Sequence, residues 1–178
     1  DLPDRFEPGF HIAELGFGTG LNVLVALDAW RRAGMSGPLR FTSFEAFPLD
    51  PATTLEALEA LPRTDSLRDA FIAYLAGDRT ALPDLDLTIN EGDARQTMPS
   101  WSGMADAWFL DGFSPAKNPE LWGPDLMAAV ARATVQGGTA ATYTAAGFVR
   151  RGLEAAGFAV IRAQGYGRKR HMTRAVLK

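Results

Sequence analysis

The chain has no cysteine among its 178 residues, which excludes disulfides and thiolate-held metals. Histidine is nearly absent too. His11 and His171 lie far apart in sequence, so a protein-held zinc site is not expected. No apolar run approaches the roughly 20 residues that a membrane-spanning helix needs. No secretory leader pattern is visible, and a cytoplasmic, membrane-free protein is expected. Basic charge is scarce through most of the chain and concentrated at one end. Residues 145–178 carry eight cations (Arg150, Arg151, Arg162, Arg168, Lys169, Arg170, Arg174 and Lys178) against Glu154 alone. That end is therefore +7 and the remainder −10, within a total of −3. A basic end on an acidic body points to a localised surface for a polyanion, although the same residues also suit a solvated strand edge. Apolar content of 47% with 22% charged residues is that of a folded chain, and 178 residues suffice for one domain with a core.

What is present in quantity is glycine, and it is concentrated. The stretch Ala13-Glu14-Leu15-Gly16-Phe17-Gly18-Thr19-Gly20-Leu21-Asn22 sets three alternating glycines between an apolar run over 10–15 and a helical pattern over 21–33. Strand, glycine turn and helix make a nucleotide-binding βα corner. Glycine admits positive φ and lets a ligand reach bare peptide, while the helix start offers unpaired N–H groups. A dinucleotide fingerprint would need glycine at position 21, where the chain has Leu21, and no phosphate-loop lysine follows. The pattern E-x-G-x-G-x-G instead resembles motif I of the S-adenosylmethionine-dependent methyltransferases. That ligand has no pyrophosphate, so the turn has only to admit an amino-acid part and a ribose. The same glycines also suit a tight corner that binds nothing.

Further along, 39–45 reads as a second strand ending on Glu45, where an acid can accept hydrogen bonds from both ribose hydroxyls of a nucleoside. Helical patterns cover 51–60 and 66–75, a loop 77–83, and a third strand 85–89. Gly92-Asp93 follows it, where an acid could meet an adenine amino group. A strand over 105–110 runs into Asp111-Gly112-Phe113-Ser114-Pro115, at the carboxyl edge where open α/β sheets bind ligands. A helix over 125–134, a turn at Gly137-Gly138, a strand over 139–143 and a helix over 147–156 follow, then two closely joined strands at 158–163 and 171–177. Strands alternating with helices predict a mostly parallel α/β sheet of the Rossmann-like kind with helices on both faces. The close final pair predicts an antiparallel last strand.

The blocks ELGFGTGLN, FEAFPL, WFLDGFSPAKNPELW, AGFVRRGLEAAGF and GYGRKR, in this order, resemble the methyltransferase domain of the bacterial tRNA 5-methylaminomethyl-2-thiouridine biosynthesis protein family. The likeness spans nearly the whole chain, and DGFSPAKNPELW and GYGRKR carry it more specifically than the glycine turn. It implies a seven-stranded class I methyltransferase fold in a single domain over 1–178. It also implies methyl transfer from S-adenosyl-L-methionine to the exocyclic amine of 5-aminomethyl-2-thiouridine at the tRNA wobble position. Cofactor contacts are implied at Glu14, Gly16, Phe17, Gly18, Gly20, Asn22, Glu45, Ala46, Gly92, Asp93 and Asp111, with Asp111 also the catalytic acid. Phe113, Lys117, Arg150, Arg151, Arg168, Lys169 and Arg170 are expected to meet the anticodon loop, the cations as phosphate contacts. Phe113, Trp122 or Tyr166 would stack on a flipped base. No metal is expected. A flavin-dependent oxidase, fused or separate, is the implied companion.

The chain departs from the family pattern in three places. It has little sequence before its first strand, a short segment between Leu75 and Asp86, and His171 where the family usually has Glu. It also starts on Asp1 rather than Met, and a piece of a longer chain is expected. Two other functions fit the same motifs: an N-methyltransferase for a small amine, and a non-catalytic RNA-binding module of the same fold.

Overall fold

In a computed structural model, which describes residues 2–60, 65–165, 167 and 170–178, the chain folds around one seven-stranded sheet. The strands are β1 His11–Leu15, β2 Leu39–Glu45, β3 Leu85–Glu91, β4 Ala105–Phe109, β5 Thr134–Thr142, β6 Phe158–Gln164 and β7 His171–Leu177. The helices are α1 Leu21–Arg32, α2 Pro51–Glu59, α3 Asp65–Leu75, α4 Ala94–Thr97, α5 Pro124–Arg132 and α6 Gly147–Ala155. The strand order is β3-β2-β1-β4-β5-β7-β6. β3, β2, β1, β4 and β5 pair in parallel, and β7 runs antiparallel to both β5 and β6. The expected mostly parallel sheet with an antiparallel last strand is therefore present, with the last strand inserted rather than added at the edge.

Each sheet face buries its own core, because successive strand residues point to opposite sides. One face sets Ile12, Phe41 and Leu87 against Val23, Leu27 and Trp30 of α1, Leu58 of α2 and Phe71 of α3. The other sets Ala13, Phe44, Trp108, Ala140 and Ala175 against Met98, α5 and Val149 and Leu153 of α6. Helices thus cover both faces, α1–α3 on one and α4–α6 on the other.

Two local expectations are corrected. Gly137-Gly138 is not the turn before β5 but a bulge inside it. Ala105 pairs with Thr134 and Ala107 with Thr139, so β5 carries extra residues that Gly137 absorbs at φ +75°. The preceding helix accordingly ends at Arg132, since Thr134 already belongs to the sheet. The short α4 is an addition, started by Asp93, whose carboxylate accepts the Arg95 N–H at 2.9 Å.

At the amino edge of the sheet, His11 is buried and fastened at both ring nitrogens. Nδ1 lies 2.9 Å from the Met104 carbonyl and Nε2 lies 2.8 Å from the Thr42 hydroxyl. Burial, with the Arg40 charge adding to it, lowers its pKa below the ordinary value of 6.5. The unfolded chain takes up this proton near 6.5 while the folded chain resists it. This contribution to stability is therefore complete above that pH and is lost as pH falls below it. The melting temperature of the parent should fall more steeply on acidification from about pH 7.5 to about 5.5 than that of His11→Gln, which cannot titrate.

Candidate active site

The site is assembled where β1 and β4, neighbours in the sheet, run out at their carboxyl ends. β1 runs straight into Gly16, and β4 reaches Gly112 after Leu110 and Asp111. The Gly16 N–H donates to the Phe44 carbonyl at 2.8 Å, and the Gly112 N–H donates to the Leu15 carbonyl at 3.0 Å. The two glycines then touch backbone to backbone. A Cβ on Gly16 would lie 2.5 Å from Gly112 Cα, and one on Gly112 would strike the Leu15 carbonyl oxygen and lie 2.6 Å from Gly16 Cα. Gly16 also sits at φ +92°. This contact sets Asp111 beside the glycine turn.

Glu45, at the end of β2, ties the turn down from the other side. Its Oε2 accepts the N–H groups of Phe17 at 2.9 Å and Gly18 at 3.2 Å, and its Oε1 accepts Phe47 N–H at 2.9 Å. Its carbonyl accepts Gly92 N–H at 2.9 Å, which draws in the loop after β3. Gly18 faces open space, with nothing within 4 Å of an added Cβ. Gly20 is left-handed at φ +72° and begins α1 with no side chain capping it. Bare peptide at Gly18 and an uncapped helix start therefore lie together at this edge.

Glu14 lies beneath the turn and is 0% exposed. Its Oε2 accepts the Asn22 amide at 3.0 Å, and the Ser43 hydroxyl is its other polar neighbour. Burial raises its pKa to about 8; the Asn22 hydrogen bond opposes this, and the charges of Asp111 and Glu45 add to it. Asp111 is half-buried. Its Oδ1 accepts Tyr143 N–H at 2.9 Å, and burial raises its pKa against that bond and the Thr142 hydroxyl. Three acids thus gather round one bare loop. An acid-lined edge of this kind, with Glu14 holding its proton, suits a sulfonium-bearing cofactor better than a pyrophosphate. With the open Gly18 and the uncapped α1, the residues present fit S-adenosyl-L-methionine.

The remaining expected residues divide. Ala46 and Gly92 line the same edge. Asp93 is at that edge too, but Arg95 engages its carboxylate in a forked ion pair. Phe17 contributes its backbone only, since its side chain is buried against Phe71 in the core. Phe113 is partly buried on the core, and Trp122, at 5% exposure, is part of the core and not available to stack. Lys117, Arg151 and Arg170 are exposed and Arg150 is half-buried. All four follow carboxyl ends of β4, β5 or β6, which point the same way. Arg168, Lys169 and Tyr166 lie outside the described residues. Gly112 as the contact of Gly16 was not expected from sequence; its only signal was an Asp-Gly pair directly after a strand.

The unfolded chain ionises Glu14 near 4.5 and the folded chain near 8, so the folded state holds the proton between them. The stability this adds is full below the lower value and lost as pH rises through the upper one. Denaturant unfolding from about pH 5 to about 8 should show a decline that is shallower in Glu14→Gln. Gly112→Ala should lose about 1–3 kcal/mol of unfolding free energy, because the Leu15–Gly16 backbone cannot yield to a methyl group.

The sequence model of the S-adenosyl-L-methionine-dependent methyltransferase family matches residues 64–178, which include the Asp111 loop and the last strands. The chain is 41% identical over 179 residues to the tRNA 5-methylaminomethyl-2-thiouridine biosynthesis bifunctional protein MnmC of Caulobacter vibrioides, covering 95% of this chain and 30% of that protein. To the protein of the same name from Pseudomonas aeruginosa it is 46% identical over 169 residues, covering 90% and 26%. The chain therefore spans less than a third of the length of these curated relatives. Among solved structures, MNMC2 from Aquifex aeolicus superimposes with a TM-score of 0.74 at 30% identity, over 95% of this chain and 53% of that one. The glycine-turn cleft and the matched Asp111 loop come together in one conclusion: this chain belongs to the S-adenosyl-L-methionine-dependent methyltransferase family.

Proposed function

We propose that residues 1–178 form one methyltransferase domain, acting in the cytoplasm, that methylates the exocyclic amine of 5-aminomethyl-2-thiouridine at the wobble position of tRNA. The observation that carries this reading is Asp111, a half-buried carboxylate held beside the glycine turn by the Gly16–Gly112 contact. Similarity to the MnmC proteins over nearly the whole chain supports the substrate. So do the cations Lys117, Arg150, Arg151 and Arg170 on the same edge. Because those relatives are named bifunctional, a flavin-dependent oxidase acting one step earlier is the companion that would supply the amine.

S-adenosyl-L-methionine supplies an electrophilic methyl group when bound. The backbone of Gly16, Gly18 and Gly20 would hold it, with Glu45 and Ala46 on the ribose side and Gly92 and Asp93 on the adenine side. Glu14 would act from behind, by accepting the Asn22 amide. An alkylamine has an ordinary pKa near 10, so it must lose a proton to present its lone pair. Asp111 accepts a hydrogen bond from that amine, and its raised pKa makes it a better proton acceptor than an exposed acid. A carboxylate also favours the ammonium form, so part of the gain lies in alignment of the amine.

Labelled S-adenosylmethionine should mark tRNA bearing 5-aminomethyl-2-thiouridine and leave tRNA lacking that amine unmarked. Label in both, or in neither, overturns the substrate. Asp111→Asn should bind cofactor like the parent and transfer methyl roughly a hundredfold more slowly or worse; unchanged turnover removes Asp111 from the mechanism.

A further inference from the structure

The residue that touches Asp111 carries a large ring that the core does not use. β5 ends at Thr142, and Tyr143 leaves the sheet beside β4 with its N–H on Asp111 Oδ1 at 2.9 Å. Tyr143 as a residue is 53% exposed. Phe148, on the first turn of α6, is 43% exposed. The backbone between them is held by hydroxyls. Thr142 Oγ1 accepts Thr144 N–H and Thr144 Oγ1 accepts Ala146 N–H, each at 3.2 Å, and Thr173 donates its hydroxyl to the Thr144 carbonyl at 2.7 Å. An exposed tyrosine on so fixed a backbone, one hydrogen bond from the reacting carboxylate, adds little to folding and is placed to meet whatever Asp111 meets.

We infer that Tyr143 is a substrate-stacking residue, whose ring lies against the face of the modified pyrimidine and holds its aminomethyl group at Asp111. This rests on the function proposed above. A base drawn out of its loop loses its stacking neighbours and recovers them on a flat side chain. Tyrosine suits the task, because only two side-chain torsions have to be fixed on binding. The tie from Tyr143 N–H to Asp111 links the position of the ring to the position of the carboxylate, so one piece of backbone sets both. The two rings proposed from sequence that can be placed are less suited: Trp122 is buried, and Phe113 is partly buried on the core.

The test compares the parent with Tyr143→Phe, Tyr143→Leu and, as a remote control on an exposed β6 position, Ile161→Ala. Initial rates are measured against the concentration of amine-bearing tRNA, alongside calorimetric affinity for S-adenosylmethionine and the melting temperature. Tyr143→Leu should lose about tenfold or more in kcat/KM, chiefly through KM, with cofactor affinity and melting temperature unchanged. Tyr143→Phe and Ile161→Ala should stay near the parent. Parental kinetics in Tyr143→Leu would overturn the inference alone. So would an equal loss in Tyr143→Phe, which would place the effect in the hydroxyl, or a loss of cofactor affinity, which would make the role structural. A parent that leaves the amine-bearing tRNA unmarked would overturn the proposed function and this inference with it.

Discussion

Two glycines in backbone contact hold the site together. Gly16 closes β1 and Gly112 follows β4, and neither has room for a side chain. Without that contact the glycine turn and the Asp111 loop would be separate features of one sheet edge. With it, the glycine turn and the Asp111 carboxylate share a wall of bare peptide. Glu45 completes the arrangement by accepting three N–H groups, two of them from the turn itself. The cleft is thus preorganised by backbone hydrogen bonds, which cost no side-chain ordering when ligand arrives.

The charges around that wall are consistent with its ligand. Glu14, Glu45 and Asp111 are close enough for the latter two to act on the buried Glu14. Burial and the neighbouring acids keep the proton on Glu14, so the folded chain avoids three like charges at one point. A fold that binds dinucleotides at the same corner has no use for three acids there, because its ligand is itself an anion.

Much of this was legible in the sequence because it is local. Alternating glycines after an apolar run permit positive φ whatever surrounds them, and Gly16, Gly18 and Gly20 all adopt it. Glu45 and Asp111 could be placed because strand ends follow from periodicity. What was not legible depends on neighbours distant in sequence. Gly137-Gly138 reads identically as a turn or a bulge until β4 is laid beside it. Trp122 and Tyr143 are both aromatic residues near the active edge; only packing decides that one is core and the other exposed. The Asp93–Arg95 pair is the exception. Its spacing was visible, and an acid followed two residues later by arginine at a helix start already suggests an occupied carboxylate.

The position of β7 has a temporal consequence. The last strand in the chain lies between β5 and β6, so β6 has no strand neighbour until β7 arrives. During synthesis the first five strands can pair as they emerge, while Phe158–Gln164 must wait with both edges open. The Arg170 carbonyl, which accepts Gly165 N–H at 3.1 Å, closes the hairpin that delivers the final strand. The half of the sheet that carries the basic residues is therefore the last to be built. Until it forms, Tyr143 and α6 are flanked by an unfinished edge, which makes completion of the basic face a late event by construction.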